Sequence, residues 1–164
     1  MINQKVSDIL EDKFDGSVIL PEEPHNDYIQ LQSEKWFEIA EFLKSDPELK
    51  FDSCQCITGV DLGLEQNLEV RYNFHSTKLK HKIEIRIAAE RTKPRVPSVE
   101  KIWRIADWFE REVYDMYGIR FTGHRDLRRM LLPEDWRGWP LRKDYKTPRT
   151  YRGMKVPKVR KGWD

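Results

Sequence analysis

Apolar residues recur along the chain with two different periods, and the change of period divides it into elements. Ile2, Val6, Ile9, Leu10 and Phe14 return every three or four positions, which predicts a short N-terminal helix. Ser17–Leu20 and Tyr28–Leu31 are short strand candidates set around Pro21 and Pro24. From Ser33 to Leu43, Trp36, Phe37, Ala40 and Leu43 share one helical face, with Glu34, Lys35, Glu38 and Glu41 opposite, and Pro47 ends the run. Then the period shortens. Phe51–Val60, Leu68–Phe74 and Lys82–Ala89 read as strands. In the last two, Leu68, Val70, Tyr72 and Phe74, and then Ile83, Ile85 and Ile87, alternate with polar residues, so one face is buried and the other wet. The short links at 61–67 and 75–81 predict antiparallel hairpins. The helix at 33–44 also reads as a crossover joining 28–31 to 51–60 in a short βαβ unit. The expected fold is α+β, a small, mostly antiparallel sheet with helices packed on one face.

A further helix is expected past the sheet. Pro94 and Pro97 close the strands, and Ser98 caps a turn that holds Ile102 and Trp103. The Asp107-x-x-Glu110 box predicts a helix starting near Trp108. Ile105, Phe109, Val113 and Met116 form its apolar stripe; Glu110, Arg111 and Tyr114 lie on other faces. Glu112 falls at the margin of the stripe, where a carboxylate is costly unless an Arg or backbone donors meet it. Gly118 stands where the left-handed residue after a helix belongs. Beyond it, Pro133, Pro140, Pro148 and Pro157, with Gly123, Gly138, Gly153 and Gly162, break any long helix or strand. Residues 1–119 therefore read as a core domain and 120–164 as an extended, irregular arm. The arm carries nine Arg, three Trp and two Tyr. A disordered tail is poor in aromatics, whereas Trp, Tyr and Arg dominate interface hot spots, so the arm is expected to lie over a protein surface.

Charge sharpens this division. The net charge of +2 combines 16 Lys/Arg against 23 Asp/Glu in residues 1–119 with 14 against 5 in residues 120–164. An acidic body thus carries a basic arm, which points to an anionic partner or an acidic protein surface. A length of 164 residues suits one modest core. No run approaches the roughly 18–20 apolar residues of a membrane span. The first fifteen residues read as neither signal nor transit peptide. Two cysteines are too few for a disulfide framework and favour a reducing compartment.

Candidate chemistry is sparse. Cys54 and Cys56 form a C-x-C whose side chains point alike in a regular strand, but there is no second Cys pair. The four His complete no zinc-finger pattern with this pair, so buried structural thiols are the better reading. No nucleophile elbow, dinucleotide fingerprint or phosphate-binding P-loop occurs. Glu110, Glu112 and Asp115 are close enough on one helix for acid–base work, but ion pairing with Arg111, Arg120, Arg125, Arg128 and Arg129 accounts for them better. Such a pair, with Glu112 as its carboxylate, pins the arm to the body. His124 reads as a turn or packing residue. Nucleic-acid binding by the arm is disfavoured, because Pro, Leu and acids break its charge and no RNA-module motif is present.

The run Glu110-Arg-Glu-Val-Tyr-Asp-Met-Tyr-Gly-Ile-Arg-Phe-Thr-Gly-His124 is followed by Asp126-Leu-Arg-Arg-Met-Leu-Leu-Pro-Glu-Asp-Trp136 and Pro140-Leu-Arg-Lys-Asp-Tyr145. This closely resembles the signature of the 30-kDa (C-type) subunit family of proton-translocating NADH:quinone oxidoreductase (respiratory complex I). Phe51–Asp61 and Val96–Ser98 are similar to the family as well, so the resemblance spans about residues 33–146. The chain departs from the usual pattern at Arg125, where a Pro is commoner, and at Arg104-Ile-Ala before Asp107. The resemblance implies an α+β domain with a C-terminal arm in the peripheral part of the complex. It implies no cofactor on this chain, with FMN, iron–sulfur clusters and quinone in partner subunits. The implied neighbours are the quinone-site (D-type) subunit and the iron–sulfur (B-type) subunit. The implied location is peripheral and indirect, on the cytoplasmic side of the inner membrane in a bacterium. The signature and interface residues it marks are Glu110, Arg111, Glu112, Asp115, Gly118, His124, Asp126, Arg128, Arg129, Arg142, Lys143 and Asp144. A homologous subunit of a membrane-bound hydrogenase or a non-NADH dehydrogenase is the alternative; a free-standing enzyme is disfavoured.

Overall fold

The computed structural model describes residues 2–19 and 27–156. Leu20, Pro21, Pro24 and the arm's last residues, 157–164, lie outside them. Helix α1 (Ile2–Lys13) buries Val6 and Leu10, as its spacing requires. Short strands β1 (Val18–Ile19) and β2 (Tyr28–Leu31) precede helix α2 (Trp36–Ser45). Strands β3 (Ser53–Asp61), β4 (Leu68–His75) and β5 (Lys82–Ala89) then run as an antiparallel meander, joined by the two expected hairpins. The α+β class is the one the alternation indicates.

The sheet has five strands in the order β1-β2-β5-β4-β3, with β2 parallel to β5. Helix α2 is the expected crossover between β2 and β3, which run parallel, but β5 and β4 lie between the two strands. The meander leaves the outer edge of β5 open, and β2 takes it. Helix α2 crosses the apolar face to connect the two sides. It lays Trp36 on Tyr72 and Phe74, with ring centroids 4.7 and 6.1 Å apart. Ile83, Ile85 and Ile87 of β5 and Leu68 and Val70 of β4 share that buried face. On the opposite face Arg71 pairs with Glu69 and Arg86 with Glu84, each at 2.6 Å, and Arg86 stacks over Tyr28 at 3.5 Å.

One expectation at β3 fails for a definable reason. The register slips between Cys54, opposite Phe74, and Cys56, opposite Asn73. Phe74 and Asn73 face opposite sides of the sheet, so a bulge turns the two thiols apart instead of alike. Burial pushes the Cys54 thiol up to about 12, and Asn73 donates a hydrogen bond to the Cys56 sulfur at 3.4 Å.

A smaller unit sits beside the sheet. Strand β6 (Arg95–Pro97) pairs in parallel with β7 (Arg120–Thr122), and helix α3 (Ala106–Tyr117) is the crossover between them. Regular structure thus continues past Gly118. Trp103, in the turn before α3, donates to the Phe51 carbonyl at 2.9 Å and stacks on Phe74 at 4.4 Å, tying this unit to the core. Helix α3 packs along β3, the edge strand, and the Tyr117 ring lies on Gly59 of β3, where an added Cβ would come within 2.5 Å of it. Residues 123–149 contain no helix or strand, and the arm's described part ends in a two-strand hairpin, β8 (Thr150–Tyr151) with β9 (Met154–Lys155).

Trp36 is fully buried at the centre of the aromatic cluster. Trp36→Ala is expected to lower the free energy of unfolding by about 3–5 kcal/mol, through lost transfer energy and an incompletely closed cavity. Urea titration followed by far-UV circular dichroism measures this; a loss below about 1 kcal/mol would contradict the packing described.

Candidate functional site

Helix α3 is rotated from the facing that its apolar pattern predicts. The stripe Ile105, Phe109, Val113 and Met116 is buried only at Val113, and Ile105 is 47% exposed. The inward face carries Asp107, Glu110, Arg111 and Asp115 beside Ala106 and Val113. Glu112, expected to pin the arm, points outward, is exposed, and makes no hydrogen bond or ion pair among the described residues. Burying charge is costly unless each group is met by specific donors or acceptors. Here each inward carboxylate is met, and the partners come from segments distant in sequence.

Glu110 accepts from the Ser98 hydroxyl at 2.5 Å and the Val99 amide at 2.7 Å. It therefore ties α3 to the turn after β6 and does not serve as a helix cap, contrary to the Asp107-x-x-Glu110 box; the residue preceding the helix, Ile105, offers no side-chain cap. Burial pushes Glu110 up to about 8, against these two hydrogen bonds, and Glu100 and Asp107 add repulsion. His124, its side chain wholly enclosed, accepts from the Asp126 amide at Nδ1, which leaves the proton on Nε2. That nitrogen faces the Asp107 carbonyl at 3.3 Å, the Asp107 carboxylate at 3.4 Å and Glu110 at 4.0 Å. His124 is thus a turn-locking residue, as its position suggests. Arg104 and Arg125, the two departures from the family pattern, converge on Glu100 and Asp107.

The C-terminal half of α3 fastens the arm. Asp115, fully buried, accepts from three consecutive amides, Met130, Leu131 and Leu132, at 3.0, 2.7 and 2.9 Å, and from Arg129 Nη1 at 2.8 Å. Burial opposes its charge, but the Leu132 amide, Arg129 and the other two amides prevail and hold Asp115 below the usual carboxylate range. Arg129 also donates to the carbonyls of Asp115, Trp136 and Gly138 at 3.0–3.1 Å, and its guanidinium stacks over Trp139 at 4.5 Å. The Trp139 ring rests on Gly118, whose φ of +72° ends the helix; a Cβ there would approach the ring to 2.4 Å. Arg111 reaches the carbonyls of Arg128 and Arg129 at 3.4 Å.

A second fastening follows. The last carbonyls of a helix lack intrahelical partners, and here the Leu141 amide takes that of Met116 at 3.2 Å, and Arg142 takes that of Tyr117 at 2.5 Å. The Lys143 amide donates to Asp61 at 2.8 Å, and Asp61 also pairs with Arg91. Arg91 in turn lies 3.8 Å from Asp144.

The structure therefore assembles Arg111, Asp115, Gly118, Arg129, Arg142 and Lys143 around one helix end, with Asp144 at its rim. Glu110 and His124 form a separate buried cluster nearer the start of α3. Arg128 pairs only with exposed Asp126, at 2.9 Å, and Glu112 belongs to neither cluster. Sequence reasoning did not mark Asp61, Arg91, Glu100 or Trp139 for these contacts. Asp61 and Lys143 are 82 positions apart, and no periodicity connects them.

Two outcomes are expected. Gly118→Ala forces a left-handed residue and displaces Trp139; it should cost more than about 1 kcal/mol and open the arm to trypsin around Arg129–Lys143, read by timed digestion and mass spectrometry. Glu110, raised from its unfolded value near 4.5 to about 8, binds more protons folded than unfolded. Its contribution is complete below the unfolded value and is lost as pH rises through about 8. Thermal unfolding between pH 5 and 9 should show a fall towards pH 9 in the wild type that Glu110→Gln removes; identical slopes would refute it.

Comparison with known proteins gives the family. Residues 29–151 match the family described as "Respiratory-chain NADH dehydrogenase, 30 Kd subunit". The C-type subunit of NADH-quinone oxidoreductase from Chloroherpeton thalassium is 45% identical over 96% of this chain, and the chain spans 63% of that relative's length. Its counterpart from Chlorobium phaeobacteroides is 46% identical over 77% of both chains. A solved trypsin-resistant fragment of Nqo5 superposes with a TM-score of 0.61 at 25% identity, covering 75% of this chain and 99% of the fragment. A chain of an archaeal membrane-bound sulfane sulfur reductase shares the fold, with a TM-score of 0.69 at 20% identity, over 89% of this chain and 86% of its own. The chain belongs to the respiratory-chain NADH dehydrogenase 30 Kd subunit family.

Proposed function

We propose that the chain is a non-redox structural and assembly subunit of the peripheral arm of NADH:quinone oxidoreductase. In this reading it supports electron transfer from NADH to quinone, coupled to proton translocation, without performing the chemistry. The observation that carries it is the use made of the signature residues. Asp115 and Arg129 hold backbone groups of the arm, Arg142 holds the end of α3, Lys143 is itself held through its amide, and Glu110 and His124 lock turns. Cys54 and Cys56 point to opposite faces and cannot grip one ion together. In this reading FMN, iron–sulfur clusters and quinone belong to partner subunits, and this chain alone has no catalytic activity.

The fastened arm gives the subunit a shaped, basic, aromatic surface for its partners, which by the family resemblance are the quinone-site and iron–sulfur subunits. No helix among the described residues is long and apolar enough to cross a membrane. By the family resemblance, attachment runs through those partners, on the cytoplasmic side of a bacterial inner membrane. The test is purification of the assembly from native membranes carrying Arg129→Ala or Asp115→Asn. Loss of this chain from the assembly, with a fall in NADH:quinone activity of about tenfold or more, is expected. Full assembly and activity despite a protease-sensitive arm would sink the assignment, as would an assembly lacking NADH- and FMN-binding subunits.

A further inference from the structure

The outward face of α3 is built to be covered. Ile105, Trp108, Phe109, Glu112 and Met116 lie at positions that share one side of a helix. Trp108 is 56% exposed, Ile105 47%, and Phe109 and Met116 are half-buried. The charged residues that a solvent-facing helix would put there are instead on the inside, as Asp107, Glu110, Arg111 and Asp115. An exposed apolar patch rimmed by polar residues marks an interaction surface. Between this face and β3 runs a cleft of about 200 Å³, lined by Gly59, Phe109, Val113, Met116, Tyr117 and, from the arm, Leu141, with Glu112 as its only charge.

We propose that this cleft receives a segment of another subunit that inserts one large apolar side chain beside an Arg or Lys that pairs with Glu112. The volume is below the roughly 300 Å³ at which small-molecule sites begin, which fits an inserted side chain. Charge selects the occupant. Glu112 has no partner among the described residues, and an apolar surface around an unpaired carboxylate gains from a cation placed against it. The same carboxylate repels an anionic lipid surface. Leu141 lines the cleft only because the arm is fastened at Met116, Tyr117 and Asp61, so the arm completes the docking site. This inference rests on the reading of the chain as a subunit and specifies where a partner meets it.

The experiment places a photoreactive benzoylphenylalanine at position 108 in the native assembly and sequences the adduct. It also follows retention of the chain with Glu112→Lys and with Trp108→Ser. Glu112 is exposed and unpaired among the described residues, so Glu112→Lys should unfold at the wild-type temperature in isolation; Trp108 also lies under the Arg111 guanidinium at 5.3 Å, so the retention of Trp108→Ser is read at a temperature where its own unfolding curve shows it folded. The expected result is an adduct on another subunit, at a segment with a large apolar residue and a nearby Lys or Arg. Retention should fall about tenfold for Glu112→Lys, and reversing that partner cation to Glu should restore it. An adduct only on lipid or on a second copy of this chain overturns the inference, as does wild-type retention of both variants. Failure of the wild-type chain itself to co-purify with an oxidoreductase would instead overturn the reading on which it rests.

Discussion

The carboxylate of Asp115 organises the first stretch of the arm, from Arg129 to Trp139. Three successive amides and one guanidinium surround it, so it stays charged although buried. A group with that many donors fixes the path of the residues that supply them. Arg129, held by Asp115, then orders the carbonyls of Trp136 and Gly138 and stacks on Trp139. Trp139 in turn covers Gly118 and meets Tyr114 edge-on at 5.2 Å. Without helix periodicity or strand pairing between residues 123 and 149, order there comes from side chains acting on backbone together with scattered turn hydrogen bonds.

How much of this was legible depended on the range of the interaction. The alternation in β4 and β5 reports burial residue by residue, and those strands stand where the pattern puts them. Gly118 was readable because a helix end makes a local demand that few other residues meet. The facing of α3 was not readable. Its apolar stripe assumes that apolar residues alone go inward, while Asp107, Glu110 and Asp115 are buried by donors from the 98–99 turn and the arm. The bulge at Gln55 and the three-residue strand β7 escaped for a related reason: one inserted residue leaves composition unchanged, and three residues show no period. The candidate site was legible in its members, through the family signature, but not in its division into two clusters.

The ion network at the start of α3 shows how a chain can depart from a family pattern without disturbing it. Arg104 and Arg125 come from opposite ends of the α3 unit, and both reach Glu100 and Asp107. Their side chains are about half exposed or more, so each pair is a modest, screened contribution. Their placement is more telling, since they bring positive charge near carboxylates that would otherwise repel the buried Glu110.

The contact between the Lys143 amide and Asp61 also makes the arm depend on the body. It closes a span of 82 residues, and its acceptor sits at the end of a β3 strand already paired with β4. The neighbouring acceptors, the carbonyls of Met116 and Tyr117, are presented together only once α3 is wound. Closing so long a loop carries an entropic cost that is recovered only when both ends are in place. The surface on which the arm lies thus exists only where β3 is paired and α3 is wound, so the arm's order depends on a body already folded, while the body's sheet does not draw on the arm.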